Sequence, residues 1–330
     1  TLAEALLYRA GAIRRQGRVD KGDAHLDTDA MERERGITIF SKQTSLDWAG
    51  AHVMLLDTPG HVDFSAEAER TLQALDYAVL IVGANDGVEG HTETLWSLLA
   101  RYNVPTFVFV NKLDLAADGL GPVMDEMHRR LSPSVMDGDA LSALVASAGG
   151  AGGGAAALLE DVAATDEDAL DEYLESGSLS AGTIRRLIVQ RKVFPCFAGS
   201  ALRMEGIEEF LDGVVALVQE KTWPDEFAAR VYRVSRGAHG ERLAWVKVTG
   251  GVLRAKTRHS FLVNVFAARR RMQRELFFCF TCPCRRTAVR MRTGRPFSPG
   301  PEFSIIIARS RHSGNRARTV HPQLRVMRAP

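Results

Sequence analysis

Cysteine is scarce, with four in 330 residues. That excludes a small secreted scaffold held together by dense disulfides. No run approaches the ~18 unbroken apolar residues of a membrane-spanning helix, and no basic-then-apolar leader opens the text. The expectation is a cytoplasmic, monomeric chain with no membrane partner. Acidic residues almost vanish near the end: residues 254–330 hold 17 Arg and one Lys against only Glu275 and Glu302, a net charge of +16. The whole chain is only +2, so the preceding 253 residues carry −14. The body is acidic and the tail basic, and the two must be read separately. What is present is otherwise ordinary. A hydrophobic fraction of 45% and a charged fraction of 25% exclude a chain disordered throughout. The length implies two or three domains.

The text opens on TLAEALLYRAGAI, with Leu2, Leu6 and Leu7 at helical spacing. Residues 14–36 are polar and long for a connection, which marks a functional loop. GITIFSKQTSLDW (36–48) and AHVMLLD (51–57) form a hairpin turning near Ala49–Gly50. Then the rhythm becomes strand, loop, helix. DYAVLIV (76–82), PTFVFV (105–110) and VFPCFAGS (193–200) are buried-strand runs, with helical spacing at 90–101, 119–131 and 205–220. Apolar strands separated by helices imply a parallel sheet covered on both faces. Chemistry is then expected at the carboxyl ends of the strands. Residues 132–192 break the rhythm, with a glycine-rich stretch at 146–157 and short helices near 167–175 and 181–190. After Trp223–Pro224, VYRVSR and LAWVKVTGGVLRA alternate like the start of a β-barrel domain. From about 259 the pattern dissolves, although SIIIA reads as one strand.

DTPGH at 57–61 follows a strand. In a nucleoside-triphosphate switch, an Asp so placed holds Mg²⁺ through water, and a Gly amide senses the γ-phosphate with no side chain in the way. That assigns Asp57 and Gly60, and leaves His61 where it can orient an attacking water. Taken alone, the same text is an ordinary Asp–Pro–Gly turn. NKLD at 111–114 shifts the balance. Asn111 can bridge loop and base, Lys112 can lay its stem over a purine, and Asp114 offers two acceptors to the N1–H and 2-NH₂ edge that guanine has and adenine lacks. A helix cap at Asp114 is the bland alternative. Ser200–Ala201 follows the last strand and can place an amide at the guanine O6. Thr38, in GIT, can reach Mg²⁺ through its hydroxyl; sheet propensity is the competing explanation.

With these motifs in order, the chain resembles the translational GTPases, within them the group of elongation factor G and the tetracycline-resistance ribosomal protection proteins. The resemblance rests on TLAEALLYRAGAI, GRVDKG, DTDAMERERGITI, DTPGHVDF, DGVEGHTETLW, PTFVFVNKLD and GSA, and continues through VYRVSR and ERLAWVKVTGGVLRA to about residue 257. It implies an α/β GTPase domain binding GTP or GDP with Mg²⁺, and a ribosome as partner. It makes His61 and Thr38 catalytic, puts Thr38 and Asp57 at the metal (Asp57 through water), and places Gly60, Asn111, Lys112, Asp114, Ser200 and Ala201 at the nucleotide. An elongation-factor-G-like translocase fragment and a non-catalytic or RNA-binding remnant are the rival readings.

Two departures qualify this. The family's phosphate loop, GHxDxGKT, has no counterpart, and no GxxxxGK[ST] occurs in the 330 residues. The expected architecture is therefore a P-loop-type GTPase domain at 1–222, with an insertion at 132–192, lacking its first strand and phosphate loop and so leaving a gap or raw sheet edge. Part of a barrel follows at 223–258. Hydrolysis by such a chain is expected to fail. The second departure is the Arg-rich text at 259–330, which has three competing origins: a nucleic-acid-binding tail, a degraded barrel, or a shifted reading frame. It is expected to pack poorly. Cys279, Cys282 and Cys284 have CxxCxC spacing but lack an evident fourth zinc ligand.

Overall fold

The computed structural model describes residues 1–17, 42–58, 69, 71–72, 74–147, 156–236, 242–251 and 302–309; for 42, 233–236, 242–244 and 302–309 it gives the backbone only. Helix α1 (Leu2–Arg9) is followed by the antiparallel hairpin of β1 (Lys42–Trp48) and β2 (Ala51–Asp57), which turns through left-handed Ala49 and Gly50. Next come β3 (Tyr77–Gly83), α2 (Gly90–Arg101), β4 (Thr106–Asn111), α3 (Gly121–Arg130), β5 (Val135–Asp137) and α4 (Gly138–Ala146). Helices α5 (Ala156–Ala163), α6 (Glu167–Ser176) and α7 (Ala181–Val189) lead to β6 (Phe194–Ala198) and α8 (Ile207–Leu217). An antiparallel pair, β7 (Ala228–Arg236) and β8 (Arg242–Gly250), follows, and β9 spans Glu302–Arg309.

Seven strands form the main sheet in the order β1-β2-β9-β3-β4-β6-β5, parallel except for β1. The apolar runs of β3 and β4 are continuous because both faces are covered. Tyr77, Val79, Ile81, Phe107 and Phe109 turn into a core shared with α1, α4, α7 and α8. The alternate residues turn to the other face: Val82, Val108 and Val110 meet Val123 and Met127 of α3, while Ala78 and Leu80 meet Leu99 and Leu95 of α2. Capping fixes the starts of three helices. Asp137 accepts from the amides of Asp139 (2.9 Å) and Ala140 (3.1 Å), Asp166 from Ala169 (3.2 Å), and Ser180 from Thr183 (3.1 Å).

The sheet corrects two expectations. There is no gap between β2 and β3. Strand β9 lies there, parallel to both, pairing Ile307 with Asp57 and Arg309 with Ile81. Residues 259–330 therefore do not all stay outside the packed sheet: EFSIIIAR enters its interior. The physical reason is that this is the β-branched, apolar run of the basic text, and a slot with a neighbour on each side satisfies its backbone donors and acceptors along both edges. The entropic cost of closing the long connection grows only logarithmically with its length. The rest of 252–330, including Cys279, Cys282 and Cys284, lies outside the described residues.

Residues 132–192 break the sequence rhythm yet add to the sheet, since β5 pairs with β6 at the far edge. The β7–β8 pair is tied back to the main domain. Lys221 and Lys247 both contact Asp76, at 3.2 and 2.6 Å, and the Tyr232 hydroxyl donates to Gln43 Oε1 at 3.1 Å.

Candidate functional site

Strands β2, β3, β4 and β6 run parallel, so their carboxyl ends share one rim of the sheet. Asp57 ends β2, Asn111 ends β4, and Gly199–Ser200–Ala201 follows β6. The expected common rim for Asp57, Asn111 and Ser200 is therefore present. Ligands of open α/β sheets bind at such rims because the loops leaving the strands converge there.

The loops after β4 and β6 are stitched together. Asn111 Oδ1 accepts from the Ala201 amide at 3.0 Å, and the Leu113 amide donates to the Gly199 carbonyl at 3.1 Å. Lys112 sits in the left-handed region, φ 65° and ψ 31°, which turns the chain sharply into the single helical turn Leu113–Leu115. Its ammonium meets Asp86 at 2.9 Å. Asp86 folds back over Gly83, where an added Cβ would lie 2.3 Å from Asp86 Oδ2. Asp114 follows with its side chain only 8% exposed and a 3.2 Å contact to Arg203 Nε.

Two glycines close the Ser200 loop. Ser200 and Glu205 exchange backbone hydrogen bonds of 3.0 and 3.1 Å. A Cβ on Gly199 would meet the Glu205 carbonyl oxygen at 2.2 Å, and one on Gly206, at φ +71°, the Ala198 carbonyl oxygen at 2.3 Å. Only a glycine leaves room at these approaches. Ser200 and Ala201 are buried as a result. Gln16, just beyond α1, donates to the Ala201 carbonyl at 2.9 Å, and the Gly17 amide donates to buried Glu4 at 3.2 Å.

At the other end of the rim, Asp57 is 5% exposed, and its Oδ1 has no hydrogen-bond partner among the described residues. A buried carboxylate oxygen left bare is costly, so this one is suited to a hydrated cation. Among the described residues no cluster of three His, Cys, Asp or Glu side chains forms a protein cage for a metal. A lone hard oxygen fits Mg²⁺, which keeps several waters and takes few protein ligands when phosphates supply the rest. Thr38, Gly60 and His61 lie outside the described residues.

Sequence reasoning assigned no role to Gln16, Asp86 or Arg203. Asp86 sits inside DGVEG, text already carrying the family resemblance. Gln16 is an isolated polar residue that only the fold brings to the site, and Arg203, two residues after Ala201, carries no signal that it reaches Asp114.

The sheet and the rim at its carboxyl ends set the class. The model for the elongation factor Tu GTP binding domain matches residues 1–220, and the chain belongs to that family of translational GTPases. It is 33% identical over 265 residues to the tetracycline resistance protein TetW of Butyrivibrio fibrisolvens, covering 78% of this chain and 41% of that protein. It is 30% identical to TetP of Clostridium perfringens, covering 76% of this chain and 40% of TetP. A crystal structure of a Thermus thermophilus protein superposes with a TM-score of 0.64 at 25% identity, over 76% of this chain and 43% of that one. The chain thus spans about two fifths of the length of the curated relatives it matches. Among the described residues no helix is long and apolar enough to cross a membrane.

Proposed function

We propose that the rim is a guanine-nucleotide site, and that the chain is part of a ribosome-associated GTPase of the ribosomal protection type. The observation that carries this reading is the Asn111–Ala201 clasp beside a nearly buried Asp114. Asn111 spends its side-chain oxygen on the neighbouring loop, which holds the base-reading residues in register. Asp114 can then accept from both N1–H and the 2-NH₂ of guanine. Adenine lacks that donor pair and would leave the carboxylate unmatched. Lys112 has the length to cover the base with its stem while its ammonium rests on Asp86. The Ala201 amide already donates to Asn111, so its part is to fix the loop, and a contact to O6 would have to share that donor.

Asp57 supports the metal side, with its bare buried oxygen at the rim. A Mg²⁺ bound with the nucleotide would neutralise phosphate charge there. Thr38, Gly60 and His61 keep the roles that the family resemblance gives them: Mg²⁺ sensing, γ-phosphate sensing and orientation of water. The 330 residues contain no GxxxxGK[ST], and on that ground these residues alone are expected to read the base without efficient hydrolysis. The β7–β8 pair is read as the first hairpin of a barrel. The +16 segment favours one second reading, a binding remnant that contacts RNA without turnover.

The deciding experiment is equilibrium binding of GDP, ADP and xanthosine diphosphate to the full chain and to Asp114→Asn. Preference for GDP in the parent, lost or turned toward xanthosine diphosphate in the variant, is expected. The cost to GDP should be on the order of 1–3 kcal/mol, since a buried base-edge group loses its partner. Unchanged GDP affinity in the variant would remove Asp114 from the base site.

A further inference from the structure

Asp114 is nearly buried, and its carboxylate meets the Arg203 guanidinium at 3.2 Å. Arg203 itself is 56% exposed along its side chain. Its backbone is held firmly, because the amide donates to the Ser200 carbonyl at 3.1 Å. The stem therefore starts from a fixed point on the Ser200 loop and reaches across to the loop after β4. The two partners are unequal: one is enclosed, and the other can leave into solvent at little cost.

We infer that Arg203 is the resident counter-ion of the base-reading carboxylate and sets the affinity and salt dependence of guanine binding by competing for Asp114. This rests on the guanine-site reading above. A carboxylate enclosed to this degree needs a partner in every state of the protein. Without nucleotide, Arg203 supplies it. Guanine, approaching with two donors, needs the same oxygens, so its arrival displaces the guanidinium. The net affinity is the base–carboxylate interaction minus the ion pair it replaces. Arg203 is a positioning and specificity-setting residue here, since it acts on the base through Asp114. An adenine edge without the donor pair leaves the ion pair in place, so the competition weighs on guanine alone and narrows its lead over adenine.

The test compares the full chain with Arg203→Met, which keeps the apolar stem, and Arg203→Lys, which keeps the charge but not the planar fork. Binding of GDP and ADP is measured by titration calorimetry at low and at high potassium chloride. Thermal melting confirms that the exposed substitution leaves the fold intact. In the parent, GDP should bind more tightly as salt screens the ion pair. Arg203→Met should bind GDP about 3- to 20-fold more tightly at low salt, in line with the modest worth of a partly exposed pair. The same variant should lose most of the salt response and widen the GDP-to-ADP ratio, with Arg203→Lys between it and the parent. Equal or weaker GDP binding by Arg203→Met, with guanine preference intact in the parent, overturns this inference alone. Absence of guanine preference in the parent overturns the site reading and the inference together.

Discussion

Glycine in a helix interior usually marks a site that alanine improves by about 1 kcal/mol. Gly213, in the buried face of α8, should behave in the opposite way. A Cβ built there lies 2.4 Å from Phe197 Cε1 and 2.5 Å from Cζ. Those distances are far inside van der Waals contact, so the ring must move. It has nowhere to go, because a Cβ on Gly138 of α4 would meet the same ring at 2.6 Å from the other side. Phe197 is 2% exposed and packs edge-on against Phe210, with ring centres 5.3 Å apart. Overpacking of this kind costs about 1–3 kcal/mol beyond any propensity gain. Gly213→Ala is therefore expected to lose about 1–3 kcal/mol in urea unfolding. The melting temperature should fall by roughly 2–4 °C per kcal/mol for a domain of this size. Phe197→Leu removes the offending ring atoms, so Gly213→Ala should cost much less in that background. A double-mutant cycle measures the difference. A neutral or stabilising Gly213→Ala in the parent would refute the claim that two glycines clamp this ring.

Three further outcomes are expected. Ile306 pairs with Leu56 on one side and Ala78 on the other, and Ile306→Pro removes a donor from a strand with two neighbours; amide exchange should quicken in β1 and β2 far more than in β4 and β6, and equal protection in all four would count against β9 as the bridging strand. Asp166 is held down to about 2 by Lys192 first and Arg186 after it. Its contribution to stability is therefore complete above its ordinary value of 3.8 and is lost as pH falls toward about 2; the unfolding free energy should decline through that window, and Asp166→Asn should flatten the decline. Burial pushes the Cys196 thiol up to about 12, so iodoacetamide should leave it unmodified in the native protein and label it readily in urea; rapid native labelling would contradict its placement inside β6.

Much of this architecture was legible because its signals are local. The runs at 76–82 and 105–110 are continuous and apolar, which is what double-faced burial requires. NKLD and DTPG stand at strand ends, so the rim followed from the strands. The hairpin at Ala49–Gly50 announced itself through its turn. Strand β5 was not legible, being three residues with a single neighbour. Helices α4 and α5 flank a glycine-rich stretch that masked their periodicity. The location of β9 could not be read at all. EFSIIIAR looks like a strand, but nothing local says which slot it enters, and its partners are about 250 residues away. The Arg203–Asp114 contact was hidden for the same reason, since it joins two loops that only the sheet brings together.

The strand order makes β9 the strand that links two halves of the rim. Among the described strands, β2 and β3 do not pair with each other, and each pairs with β9. Within the sheet, the hairpin that carries Asp57 thus joins the strands that carry Asn111 and Ser200 through a single intermediary, while Trp48 also ties it to Asp212 of α8 at 2.7 Å. Its position depends on contacts of very long sequence separation, which form slowly because a large loop must close first. During synthesis, β3, β4 and β6 can pair as soon as β6 emerges, whereas the hairpin gains its parallel sheet partner only with residues 302–309. A nascent chain paused before that point would hold the Asn111 and Ser200 end of the rim without the strand that aligns Asp57 beside it. Stalled-chain proteolysis should accordingly find β3, β4 and β6 protected earlier than β1 and β2.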